Sequence, residues 1–215
     1  MDTEKARKII DSDWKVSPYY EIAERYRYFF WDEGSPFAVQ FSKLDPSMVV
    51  ELACGHGRHT ADILDRFPHS RVTLVDVNVE NIEACRERFG SDPRLSYIVN
   101  NGRDLANIED GSHTAVFCYD AMVHFELEDV ISYLSEIYRV LKPGGRALLH
   151  YSNYDRAPGG SYHDNPHWRN FCTERLFCHL CQRQGFGIIH SQTLDWGFGD
   201  GTVADLDGLT VIEKA

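Results

Sequence analysis

From about Pro46 onward, the apolar and polar positions of the chain switch between two periods. Met48-Val49-Val50-Glu51-Leu52 is a short, β-branched apolar run that reads as a buried strand. A Gly55-His56-Gly57 turn follows, and then Thr60, Ile63, Leu64 and Phe67 recur at helical spacing until Pro68 stops them. Residues 71–76 predict a second strand. Val79, Ile82, Cys85 and Phe89 predict a second helix, closed by Gly90. Further strands are expected at 95–99 and 114–120, and Val130, Leu134, Ile137, Tyr138 and Leu141 mark a long amphipathic helix. Lys142-Pro143-Gly144-Gly145 then turns the chain sharply into a fifth strand that ends at His150. A helix near 173–184 precedes two last strands, 187–194 and 209–213. No helical repeat joins these two, so they should pair antiparallel, because a parallel pair needs a crossover.

Residues 1–45 stand outside this alternation. Ser17-Pro18 offers a cap with proline at the first helical position. Tyr19, Tyr20, Ile22, Ala23, Tyr26, Phe29, Phe30 and Trp31 then give one helix a wide aromatic face, ended near Gly34-Ser35-Pro36. Two roles are open for it: packing on the domain through aromatic burial, or a lid over a ligand. The expected division is a helical cap over 1–45 and a main domain over 46–215, with an insertion at about 151–172.

The chemistry concentrates at the first turn. Its glycines let backbone approach a ligand, and the free N–H groups of the next helix favour an anion. Asp76 ends the second strand, twenty-one positions after Gly55. At that separation an acid sits at the tip of the neighbouring parallel strand and can accept from a ribose hydroxyl.

Glu51-Leu52-Ala53-Cys54-Gly55-His56-Gly57, Asp76 and the run Arg139 to Gly145 together resemble the class I S-adenosylmethionine (SAM)-dependent methyltransferases. Ala53 stands where that family usually has its first glycine. The resemblance implies an α/β fold, a three-layer α/β/α Rossmann-like arrangement around a seven-stranded, mostly parallel sheet whose last strand is antiparallel. It implies SAM as cofactor and S-adenosylhomocysteine as product. Gly55 and Gly57 would cradle the methionyl and ribose part, with Glu51 and Ala53 forming the turn. Asp76 would take the ribose hydroxyls and Val77 would pack on the adenine. Asn101, Gly102 and Arg103 would reach the adenine edge, with Asp104 as the family's acid or one position from it. Asp120 would lie near the methionyl amino group. Arg58 either pairs with the methionyl carboxylate or faces solvent.

Methyl transfer needs alignment more than acid–base help. His124, four residues past Asp120, is the candidate base; the other reading is a histidine hydrogen-bonded beneath the cofactor. The insertion mixes aromatics with hydrogen-bonding groups at the ligand end of the sheet, which suits an acceptor lid. Tyr154, His163, His167 and Arg169 are its candidate contacts; a surface loop with tucked aromatics is the alternative.

Thirty-three acids against twenty-two Lys and Arg give a net charge of −11, which disfavours a nucleic-acid surface and leaves a small-molecule acceptor as the expected partner. No apolar run reaches membrane-spanning length, and the charged first eight residues lack the apolar centre of a secretion signal. Six scattered cysteines read as buried hydrophobes in a reducing compartment, so a cytoplasmic location is expected. Cys178-His179-Leu180-Cys181 invites a metal reading, but its single Cys-x-x-Cys falls inside an amphipathic helix, and no metal is expected. Two other functions compete with transfer. A nicotinamide oxidoreductase would want a third glycine where Thr60 stands. A protein that holds SAM or its product without turnover is the second.

Overall fold

A computed structural model describes residues 3–15, 17–197 and 199–215. Met1, Asp2 and Val16, which belong to the expected cap, lie outside the described residues.

The main domain is a single seven-stranded sheet. Its strands are β1 (Met48–Leu52), β2 (Arg71–Asp76), β3 (Leu95–Val99), β4 (His113–Cys118), β5 (Leu141–Ser152), β6 (Phe186–Trp196) and β7 (Val203–Lys214). They lie in the order β3-β2-β1-β4-β5-β7-β6. The first five run parallel, and β7 is antiparallel to both β5 and β6. The direct connection between the last two strands forces that pairing, as expected. It is shorter than the sequence suggests, because both strands extend towards each other, to Trp196 and from Val203. The order reverses between β1 and β4, so ligand-binding loops converge beyond the carboxyl ends of those two strands.

Alternate side chains of each strand feed two cores. Val50, Leu52, Val116, Cys118, Ala147 and Leu149 face the layer containing α7 (Leu127–Val140) and α8 (Glu174–Arg183). Val49, Phe117 and Leu148 face the layer of α5 (Arg58–Arg66) and α6 (Val79–Phe89). Gly145 has its place for a steric reason: a Cβ there would stand 2.8 Å from the Lys142 carbonyl as the chain turns into β5.

The N-terminal region departs from expectation. Its charged opening forms a helix, α1 (Thr3–Trp14), whose Ala6 and Ile10 are buried. The single helix expected after Pro18 is two, α2 (Tyr19–Arg25) and α3 (Arg27–Trp31), broken at Tyr26 with φ −104° and ψ 3°. Ser35 caps a further helix, α4 (Pro36–Phe41), by accepting from the Ala38 N–H. Trp31, Phe37, Phe41 and Leu44 belong to the second core. The segment before residue 46 therefore has two parts: α4 and the end of α3 complete the domain's core, whereas α1 and α2 reach over the ligand edge.

Candidate functional site

A cavity opens beyond the carboxyl ends of β1, β2 and β4, roofed by α1 and α2. Its floor is the turn after β1. Ala53, Gly55 and Gly57 all have positive φ, at 56°, 52° and 70°. The left-handed conformation costs Ala53 about 1–2 kcal/mol, strain of the kind held at binding sites. Asp76 locks this turn: it accepts from the Gly55 N–H at 2.9 Å, the Asn78 N–H at 2.9 Å and the Asn81 amide at 3.1 Å. Three acceptances leave a carboxylate room for about one more donor. Glu51, buried beneath the turn, accepts from the Thr60 hydroxyl. Burial pushes its carboxyl up to about 7, against the pull of that hydroxyl.

The roof is wired to the floor. Tyr20 stacks on His56 with centroids 4.2 Å apart, accepts from the Asn81 amide at 2.9 Å and donates to the Trp14 carbonyl at 2.8 Å. Tyr19 donates to Asp120. Arg7 pairs with Asp129 at 3.1 Å, and Asn78 donates to the Asp11 carbonyl at 3.2 Å. Burial raises the Asp11 carboxyl to about 6. The roof also reaches the insertion, where Asp13 accepts from Tyr162 and lies 2.7 Å from His163 Nε2.

On the β4 side stands Asp120, strained at φ 59°. Its main-chain N–H donates to His150 Nδ1 at 3.0 Å, so His150 carries its proton on Nε2, directed at Asp207 2.9 Å away. Burial raises the Asp120 carboxyl to about 7. Arg58 lies 3.5 Å from Asp120, and its Nη1 is buried without a partner. His124, which is buried, donates through Nδ1 to the Trp168 carbonyl at 2.6 Å and stacks on Trp14 at 4.8 Å. Burial pushes its pKa down to about 3, so the ring is neutral at pH 7.

A second, more open cavity continues from Asp120 and His124 to the insertion, between Trp168, Trp196 and Arg169. The two cavities share Trp14, Tyr19, Asp120 and His124.

Residues 49–145 match the family model described as a methyltransferase domain. This stretch is similar to the class I SAM-dependent methyltransferases. The chain is 28% identical over 98 residues to malonyl-[acyl-carrier protein] O-methyltransferase 1 of Ilyobacter polytropus, covering 46% of this chain and 35% of that one. It is 29% identical over 153 residues to the ubiquinone/menaquinone biosynthesis C-methyltransferase UbiE of Geotalea daltonii, covering 68% of this chain and 64% of that one. The chain thus spans between about a third and two thirds of the length of these curated relatives. Its fold resembles that of geranyl diphosphate C-methyltransferase from Streptomyces coelicolor, with a TM-score of 0.72, 15% identity and 98% of each chain covered.

Glu51, Ala53, Gly55, Arg58, Asp76, Val77, Gly102, Asp120 and His124 all reach the first cavity. Gly57 stands just behind it, where a Cβ would meet the Phe89 ring at 2.5 Å, so its role is close packing with α6. Asn101 and Arg103 do not reach it: both are exposed, Asn101 bonds within its own turn, and Asn100 lines the cavity in its place. Asp104 is likewise outside the cavity lining. Of the acceptor candidates, His163, His167 and Arg169 line the second cavity, while Tyr154 does not and pairs with Phe171 in an isolated bridge. Arg169 is only 2% exposed, and its guanidinium is held by Asp207 through two hydrogen bonds of 2.8 and 2.6 Å. It is a structural cation and offers no free charge to a substrate.

The chain's pattern does not single out Asn78, Asn81, His59, His150 or Asp207. Trp14, by contrast, lies on the four-residue repeat of Ala6, Ile10 and Trp14, a helical signal within a charged segment. Among the described residues, no group of three or more metal-ligating side chains comes together, and Cys178 lies within 3.4 Å of Glu174 and Ser191 oxygens. No described helix is long and apolar enough to cross a membrane.

Proposed function

We propose that this chain transfers a methyl group from SAM to a small-molecule acceptor, at oxygen or nitrogen. The observation that carries this reading is the junction of the two cavities at Asp120 and His124, which gives donor and acceptor compartments a common wall. A protein that merely stored the nucleoside would need the first compartment alone.

The residues of the first cavity suit SAM. Asp76 has acceptor capacity for a ribose hydroxyl, and Val77 and Gly102 line the same cavity on the side where the adenine would lie. The unpartnered Arg58 Nη1 suits the methionyl carboxylate. When bound, SAM supplies a methyl carbon activated by its sulfonium. The chain's contribution is alignment: α1 and α2 exclude water from above and act as a lid, while the Asp76–Gly55 bond fixes the floor. Alignment of this kind lowers a barrier by roughly 7–11 kcal/mol. His124 is neutral, and Nδ1–H is committed to a carbonyl, which leaves Nε2 as a hydrogen-bond acceptor; the burial that lowers its pKa to about 3 makes it a weak base.

Calorimetry with SAM, S-adenosylhomocysteine and NAD, followed by a labelled-SAM assay on a metabolite extract, tests the reading. Micromolar SAM binding and label transfer are expected. Tight SAM binding with no transfer would favour a storage protein, and NAD binding in place of SAM would overturn the reading.

A further inference from the structure

The second cavity's charged and amide side chains are largely engaged inside the protein, whereas the Trp14 indole N–H is buried without a partner. Arg169 gives Nε–H and Nη2–H to Asp207 and Nη1–H to the His167 carbonyl at 2.8 Å. The Asn165 amide gives a hydrogen to the Arg169 carbonyl at 2.8 Å, and Tyr19 gives its proton to Asp120. His124 Nδ1–H goes to the Trp168 carbonyl, and His167 Nε2 lies 2.9 Å from the Gly201 carbonyl.

The acceptors, in contrast, remain open. Asn165 Oδ1 is buried with no partner, in a residue only 5% exposed. Among the described residues, His124 Nε2 has no hydrogen-bond partner, and the second oxygen of Asp120 accepts no hydrogen bond. A buried acceptor without a donor is costly, so these positions favour a ligand that donates. Trp14, Trp168 and Trp196 supply the other surfaces, with Tyr19 at the junction. Aromatic faces around a carboxylate hold an organic cation. The one guanidinium is already neutralised by Asp207, so nothing in this wall offers a carboxylate substrate a counter-charge.

We propose that the acceptor is an amine borne on an aromatic or similarly flat apolar body, bound in the second cavity with its nitrogen against Asp120 and its body between Trp14, Trp168 and Trp196. This inference rests on the methyltransferase reading above and narrows it. It separates the chain from its relative named for a malonyl-[acyl-carrier protein] acceptor. The ammonium gives one proton to the Asp120 carboxylate. The freed nitrogen lone pair then bonds to the donated methyl carbon as the carbon–sulfur electron pair leaves with sulfur, yielding a thioether and a methylated ammonium. Asp120 suits the proton step, since burial raises its carboxyl to about 7.

The test uses three probes of one shape: 2-phenylethylamine, 2-phenylethanol and 3-phenylpropionate. Each is titrated into the full chain saturated with S-adenosylhomocysteine, by calorimetry and by tryptophan fluorescence, and each is then assayed with labelled SAM. The amine is expected to bind at least tenfold tighter than the other two and to be the preferred methyl acceptor. Trp168→Ala is expected to weaken amine binding about tenfold and leave the SAM dissociation constant within twofold. Asp120→Asn is expected to remove the preference for amine over alcohol. Preference for the alcohol or the carboxylate, or no response to the amine, overturns the amine assignment while leaving SAM binding intact. Failure of the chain to bind SAM at all overturns the underlying reading instead.

Discussion

Removing the Asp207 carboxylate strands a charge. The side chain is fully buried and holds Arg169 through two hydrogen bonds of 2.8 and 2.6 Å, with His150 Nε2 at 2.9 Å. In Asp207→Ala the guanidinium of Arg169, 2% exposed, keeps its positive charge with no counter-ion. Breaking a buried pair from one side costs about 3–5 kcal/mol. A chain of this size loses about 2–4 °C of Tm per kcal/mol, so the melting temperature is expected to fall by about 10 °C. Thermal and urea unfolding would measure it. Replacing both partners together, Asp207→Leu with Arg169→Met, removes the stranded charge and is expected to recover most of the loss. The pH dependence follows the same carboxylate. The Arg169 guanidinium and His150 hold Asp207 down to about 2, against the rise that burial alone would cause. A group whose folded pKa is depressed contributes stability above its unfolded value near 4 and loses it as pH falls towards 2. The wild-type chain should show that acid loss, and Asp207→Ala should lack it. A single variant melting within 3 °C of wild type at neutral pH, or a double variant no more stable than the single, would refute the reasoning.

Three further outcomes are expected. Asp76→Ala removes the acceptor of the Gly55 and Asn78 N–H groups and should weaken SAM about 10- to 100-fold by calorimetry, in line with about 1.5–3 kcal/mol for bonds to a charged group. Gly55→Ala places a Cβ 2.7 Å from the Tyr20 ring at a φ of 52°, so α2 should be displaced and the segment around residues 15–19 should be cut faster by protease. The Glu51 carboxyl, raised by burial to about 7, makes the folded chain lose stability as pH climbs from about 4.5 towards 7. Glu51→Gln should flatten that slope in urea titrations, and an unchanged slope would exclude Glu51 as its source.

Much of this architecture is visible in the chain because local and tertiary preferences agree. The β1 turn, α5 and β2 follow from a buried run, positive-φ glycines and helical spacing, and the antiparallel end of the sheet follows from a short connection. Thr60, which fills the third-glycine position of a dinucleotide fingerprint, donates to Glu51, a role that no glycine could play. The misses arise where tertiary contacts decide. Tyr26 breaks an otherwise continuous aromatic helix, and after it Phe30 and Trp31 turn inward to His59, Tyr119 and Phe37. Asn101 and Arg103 are polar enough to bind a nucleotide, yet the register at the end of β3 presents Asn100 and Gly102 instead. Arg169 has the composition of a substrate contact, and only the distant Asp207 converts it into an internal ion pair. No periodicity encodes a partner thirty-eight residues away.

The helices that roof both chambers have footings on four separate parts of the domain: Asn78 and Asn81 after β2, Asp120 after β4, Asp129 on α7, and Tyr162 with His163 in the insertion. A shared roof of this kind is expected to couple the two chambers, so that the inner room fills before the outer one; product-inhibition patterns would read that order.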